Sequence, residues 1–149
     1  MYQQTKEIVT IKTDINMKTT DYTGLSAVNT TEVVKGLQQL LADYQVFYTN
    51  LRGFHWNVKG KRFFQLHEQF ENYYNNVAEK VDEIAERILM LGEVPPHNFS
   101  DYLKVAHVKE SDYVSEGKKA VQNVLETYTY LIAEERKLLS LADKAGDEV

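Results

Sequence analysis

The sequence predicts an all-α protein, a bundle of long amphipathic helices, on three observations. Only two prolines and seven glycines interrupt 149 residues, which leaves long stretches free of helix breakers. Apolar residues recur at intervals of three and four, the period of one buried helix face. Turn signals do not come in the regular series that would mark a sandwich or barrel. With 43% hydrophobic and 26% charged residues, the chain is long enough for one domain with its own core.

Residues 1–28 show neither period beyond EIVTIKT, and Lys6, Lys12 and Lys18 offset Glu7, Asp14 and Asp21. They are expected to form a flexible arm. Met17 offers a second start, which would make residues 1–16 a non-native extension. A ferrying of apolar positions from Val33 and Leu37 to Phe47 and Leu51 predicts a first helix from about Asn29, where Asn29 and Glu32 have capping-box spacing. The segment NVKGKR breaks it, with Gly60 serving the turn. Leu66, Phe70, Val77, Ile84 and Ile88 then carry a second helix to the stop signal GEVPP. NFSDYLK suggests a short helix capped by Ser100, and a third long helix is expected from about Ser111 to Ala145, with Val121, Leu125, Ile132 and Leu139 among its apolar residues and Gly146 as its C-cap. Three such stripes need a fourth element to cover them, and the sequence ends at Val149 before supplying one.

Composition excludes several classes of function. Without cysteine there are no disulfides, thiol catalysis or cysteine-based zinc sites. No apolar run approaches the ~20 residues of a membrane span, and no signal-peptide core opens the chain, so the expected location is cytoplasmic. A net charge of -5 disfavours a generic polyanion binder. The arm carries only three dispersed lysines, so DNA compaction through it would be weak and salt-sensitive.

The chemistry-bearing residues flank the NVKGKR turn. His55 lies at the end of the first helix and His67 near the start of the second. On the second helix His67, Glu71 and Asp82 fall within about 60° of one another, and Glu86 lies about 40° beyond Asp82. His67 with Glu71, and Asp82 with Glu86, are i, i+4 pairs suited to holding one ion. Taken alone, such charged pairs are ordinarily solvated surface. The two pairs also lie ~16 Å apart along the axis, too far to share a metal within one helix. An antiparallel second copy across a two-fold axis removes that obstacle, giving two equivalent sites per dimer, with His55 completing the nitrogen half. Mixed imidazole and carboxylate ligands suit iron(II), with zinc, cobalt or manganese as competitors.

GFHWNVKGKRFFQLHEQFE, VDEIAERILMLGEVP and LADKAGDEV together resemble the Dps family of miniferritins over residues 29–149. The resemblance implies a ferritin-like four-helix bundle, here ending before its last helix, and a homo-oligomeric shell, a dodecamer. It further implies iron(II) oxidation by hydrogen peroxide at an intersubunit centre, with storage of ferric mineral. His55 and His67 correspond to histidine ligands of one subunit, and Asp82 and Glu86 to ligands of its partner. Glu71 stands where the family often has Asp, and two irons could share the site. Trp56 corresponds to an aromatic beside the centre that intercepts oxidising equivalents, or is an interface aromatic. Asp143, Asp147 and Glu148, otherwise a solvated acidic end, correspond to carboxylates lining a three-fold pore through which iron enters. Tyr44, Tyr48, Tyr73 and Tyr74 read as core and interface aromatics, and His97 and His107 as surface residues. A DNA-binding, DNA-compacting nucleoid protein with little ferroxidase activity and a truncated, non-assembling fragment are the competing readings.

Overall fold

The computed structural model describes residues 18–148. Residues 1–17, with the possible extension 1–16, lie outside the described residues. Among those described, the elements are all helical: α1 (Thr19–Thr23), α2 (Ala27–Asn57), α3 (Phe63–Met90), α4 (Phe99–Val105) and α5 (Gly117–Ala145). None is long and apolar enough to cross a membrane.

α2 is the spine of the bundle. Fifteen of its 31 residues are buried, against four in α3 and three in α5, because α3, α4 and α5 all pack on it. Leu41, Phe47, Leu51 and Phe54 meet Phe70, Val77 and Ile88 of α3 and Ala120, Val124 and Leu131 of α5 in one core. Aromatic pairs bridge both seams: Phe47 meets Tyr128 edge-on at 5.1 Å between ring centroids, and Phe54 lies tilted on Phe70 at 5.8 Å. Among the described residues nothing covers the outer side of α5, where Leu125 is 62% and Leu139 70% exposed. This is the side expected to need a further element.

Four boundaries differ from the sequence expectation. The arm is not wholly irregular, because α1 forms within it. The Lys18 backbone N–H donates to the Asp21 carboxylate at 2.8 Å, Thr20 is buried, and Gly24 ends the turn at φ 73°. α2 starts at Ala27 instead of Asn29, since the Thr30 N–H already reaches Ser26 O at 3.0 Å; Asn29 and Glu32 therefore sit inside the helix and form no cap. α4 begins at Phe99, preceded by Asn98, with Ser100 inside it.

The largest difference is at α5, which begins at Gly117 and not Ser111. Residues 111–116 are held out of the helix by tertiary hydrogen bonds. Asn50 accepts the Ser111 N–H and donates to Lys109 O, both at 2.9 Å, and the Lys59 N–H donates to Ser115 O at 2.9 Å. Gly117 permits the junction: a Cβ there would stand 2.4 Å from Leu66 Cδ1.

The same connection is anchored by Asp43, a carboxylate with no exposed surface. Its oxygens accept the backbone N–H groups of His107 (2.6 Å) and Val108 (2.8 Å), the Gln39 amide (3.1 Å) and the Tyr130 hydroxyl (2.9 Å). Four donors replace the water that a buried charge has lost. Burial pushes the Tyr130 hydroxyl pKa up, and its bond to Asp43 and the charge of that carboxylate push it further. Tyr130 also meets the exposed His107 ring at 2.9 Å.

At the far end, Asp147 is 4% exposed and ion-pairs with Arg87 of α3. Its carboxylate is turned inward, whereas Asp143 and Glu148, expected with it to line a pore, are exposed. Gly146, at φ 73°, is the C-cap expected and brings the chain back toward α3.

Two stability effects are expected in urea unfolding at matched subunit concentration. Asp43→Ala should cost about 3 kcal/mol, because it strands buried donors from three segments; an unchanged midpoint would show that those donors find other partners. Asp147→Ala should cost about 2 kcal/mol, less than for a fully enclosed pair because Arg87 is partly exposed. Asp143→Ala and Glu148→Ala should each stay within about 0.5 kcal/mol of the parent chain.

Candidate metal centre

Antiparallel packing of α2 and α3 across the 58–62 turn brings the last turn of one helix against the first turns of the other. His55 and His67 meet there. Their rings stack at 3.7 Å between centroids with 20° between planes. Each Nδ1 contacts the other residue's backbone carbonyl, His55 to His67 O at 2.7 Å and His67 to His55 O at 2.8 Å. A carbonyl only accepts, so both Nδ1 atoms carry hydrogen in this arrangement. In the neutral imidazole each Nε2 is then the lone-pair nitrogen, the form a metal ligand requires.

Aromatic neighbours hold the pair in place. Phe63 stacks on His67 at 5.0 Å, and Tyr74 meets His55 edge-on at 5.3 Å. His55 is buried and His67 half-buried. Desolvation raises the Tyr74 hydroxyl pKa, as does the nearby Glu71 carboxylate, while Arg52 opposes both.

The carboxylates are placed differently. Glu71 stands one turn after His67 on α3 and is exposed; Asp82 and Glu86 are exposed farther along the same helix. Eleven residues separate Glu71 from Asp82, ~16 Å along the axis. Within one chain the structure thus joins the two histidines but does not bring Asp82 and Glu86 to them. Among the described residues no group of three or more His, Asp or Glu stands ready to hold a metal.

Trp56 is 62% exposed, and the Arg52 guanidinium lies 4.7 Å from its ring centroid. Arg52 also lies over Tyr48 (5.6 Å) and Tyr74 (5.9 Å), tying the aromatic shell of the histidine pair together. Sequence reasoning passed over Arg52 and Phe63. The i, i+4 spacing of Tyr48, Arg52 and Trp56, and of Phe63 and His67, was the available signal.

Comparison with known proteins agrees with this architecture. A sequence model described as a ferritin-like domain matches residues 34–149. The DNA protection during starvation protein of Porphyromonas gingivalis is 51% identical over 132 residues, covering 89% of this chain and 83% of that protein. Among solved structures, the Dps protein of Vibrio cholerae O1 superposes with a TM-score of 0.85 at 43% identity, covering 89% of this chain and 84% of that one. It is described as a member of a broad superfamily of ferritin-like diiron-carboxylate proteins. A Dps protein from Bacillus brevis gives 0.79 at 33% identity, with 81% of each chain covered. The chain is a member of the Dps family of ferritin-like proteins.

Proposed function

We propose that the chain is the subunit of an iron-sequestering ferroxidase whose centre is completed by a second copy. The observation that carries this reading is the stacked His55–His67 pair with both Nε2 lone pairs available. Two imidazoles alone bind iron(II) weakly, and hard carboxylate oxygens complete a set suited to it. An antiparallel copy across a two-fold axis would bring Asp82 and Glu86 of the partner subunit to His55 and His67, and their exposure leaves them free to do so. Glu71 supplies a further oxygen at the edge of the site.

Iron(II) is the substrate. Two ions each give up one electron, hydrogen peroxide takes both, and with two protons it leaves as two waters, so no hydroxyl radical is released. The protein's contribution is to hold the ions in place, fix the imidazole tautomers and keep coordination positions open. On this reading twelve chains form a cytoplasmic shell that stores the ferric product. Asp143 and Glu148 would draw cations toward it by their charge, with Asp147 withdrawn into its pair with Arg87.

Anaerobic iron(II) loading followed by hydrogen peroxide, tracked by ferric absorbance, should show about two irons oxidised per peroxide. Folded assemblies of His55→Ala/His67→Ala should lose the reaction, and unchanged oxidation in them would remove the proposed centre. Mixing tests the shared site. Shells reassembled from equal parts His55→Ala/His67→Ala and Asp82→Asn/Glu86→Gln subunits should regain about a quarter of the parent activity, because half the two-fold pairs are mixed and each carries one intact site. No recovery would place all ligands in one chain.

A further inference from the structure

Met90 is the one methionine among the described residues, since Met1 and Met17 lie outside them. It closes α3 and is 49% exposed. Its thioether does not simply face solvent. Arg87 Nη1, one turn earlier on α3, stands 3.8 Å from the sulfur, and Arg87 Nη2 donates to the Asp147 carboxylate. One guanidinium thus spans an oxidisable sulfur and a buried carboxylate. That carboxylate sits where the chain turns back after α5: the Asp147 N–H donates to Ala142 O at 2.9 Å and the Gly146 N–H to Asp143 O at 3.1 Å. The chemical state of the sulfur therefore bears on how firmly the end of α5 is tied to α3.

We propose that Met90 is a site of reversible oxidation by hydrogen peroxide, and that its sulfoxide is taken up by Arg87 and tightens the hold on Asp147. A sulfur lone pair attacks one peroxide oxygen. The S–O bond forms as the O–O bond breaks, and the second oxygen leaves with both protons as water. Sulfur is oxidised by two electrons and peroxide is reduced by two. Susceptibility of a thioether follows its exposure. No iron takes part, so the modification does not depend on the proposed metal centre.

Geometry decides the sign of the effect. Methionine oxidation ordinarily disrupts packing by making an apolar side chain polar. Met90 is already half in solvent and holds no core position. A thioether is a weak acceptor, whereas a sulfoxide oxygen is a strong one. The 3.8 Å between Nη1 and sulfur exceeds the ~2.7–3.2 Å of an N–H···O bond, so an oxygen added to the sulfur enters that gap without displacing the guanidinium. Three rotatable bonds let the oxygen of either sulfoxide epimer reach Nη1. Because Nη1 and Nη2 serve different acceptors, the sulfoxide does not compete with Asp147. Oxidation then fixes Arg87 from a second side and keeps Asp147 withdrawn from the exposed Asp143 and Glu148.

The test treats the full assembled chain with hydrogen peroxide, free of iron and with a chelator present, and follows oxygen addition residue by residue by mass spectrometry. Met90 should gain one oxygen, and methionine sulfoxide reductases should remove it. Hydrogen exchange at the Gly146 and Asp147 amides is compared before and after treatment in the parent, Met90→Leu and Asp147→Ala chains. Exchange in the parent should slow about fivefold, the size of one partly exposed hydrogen bond to a charged group, and recover on reduction. Met90→Leu should show no change, which separates Met90 from Met1 and Met17. Asp147→Ala should show none either, since Arg87 then has no carboxylate to hold. Met90 left unmodified while Met17 is oxidised, exchange that is unchanged or faster in the oxidised parent, or slowing that persists in either variant would overturn the inference. With no iron in the assay, none of these outcomes depends on the ferroxidase reading.

Discussion

The enclosure of α2 is the constraint on which the remaining structure depends. Its neighbours α3, α4 and α5 are each placed by contact with it. Burying a helix this far leaves few positions for polar side chains, so each one present must be matched. Asp43 and Asn50 meet that demand by accepting and donating to backbone groups of the 106–111 connection. A requirement of the core is thereby turned into the device that positions the loop. Where Asp43 and Asn50 end the need for solvent, the connection gains a defined path and α5 a defined start.

The same constraint shapes the histidine site. His55 comes at the end of α2, still buried, and across the turn its ring reaches the backbone of the first turns of α3. The reciprocal Nδ1 contacts with His67 satisfy two otherwise orphaned ring nitrogens and two carbonyls. Tautomer and ring orientation are thus set by the packing of two helices before any ion arrives, which lowers the ordering cost of binding one. The carboxylate half needs no such anchoring in the free chain. Asp82 and Glu86 remain in solvent, where an ionised carboxylate is stable without a partner.

How much of this was legible in the sequence follows from the range of the interactions. The three long helices show in apolar periodicity, and Gly60, Gly92 and Gly146 adopt positive φ near the breaks that mark them. His55 and His67 could be paired in advance because a short turn between antiparallel helices admits few alternatives. The extended path of 111–116 could not, since it depends on Asn50 about sixty residues earlier, and a residue's helical propensity contains nothing of such a partner. The inward turn of Asp147 was hidden for a related reason. Its neighbours Asp143 and Glu148 are exposed, and only the turn after Gly146 takes the intervening carboxylate inward to Arg87.

In the proposed iron site one chain contributes imidazoles and its partner contributes carboxylates. Anomalous diffraction at the iron edge, from crystals loaded with iron(II) without oxygen, tests it most directly. An iron peak is expected within coordination distance of His55 or His67 of one subunit and of Asp82 or Glu86 of the partner subunit, repeated at each two-fold axis. Iron bound elsewhere with the histidine pair empty, or held there by groups of one subunit alone, would contradict it.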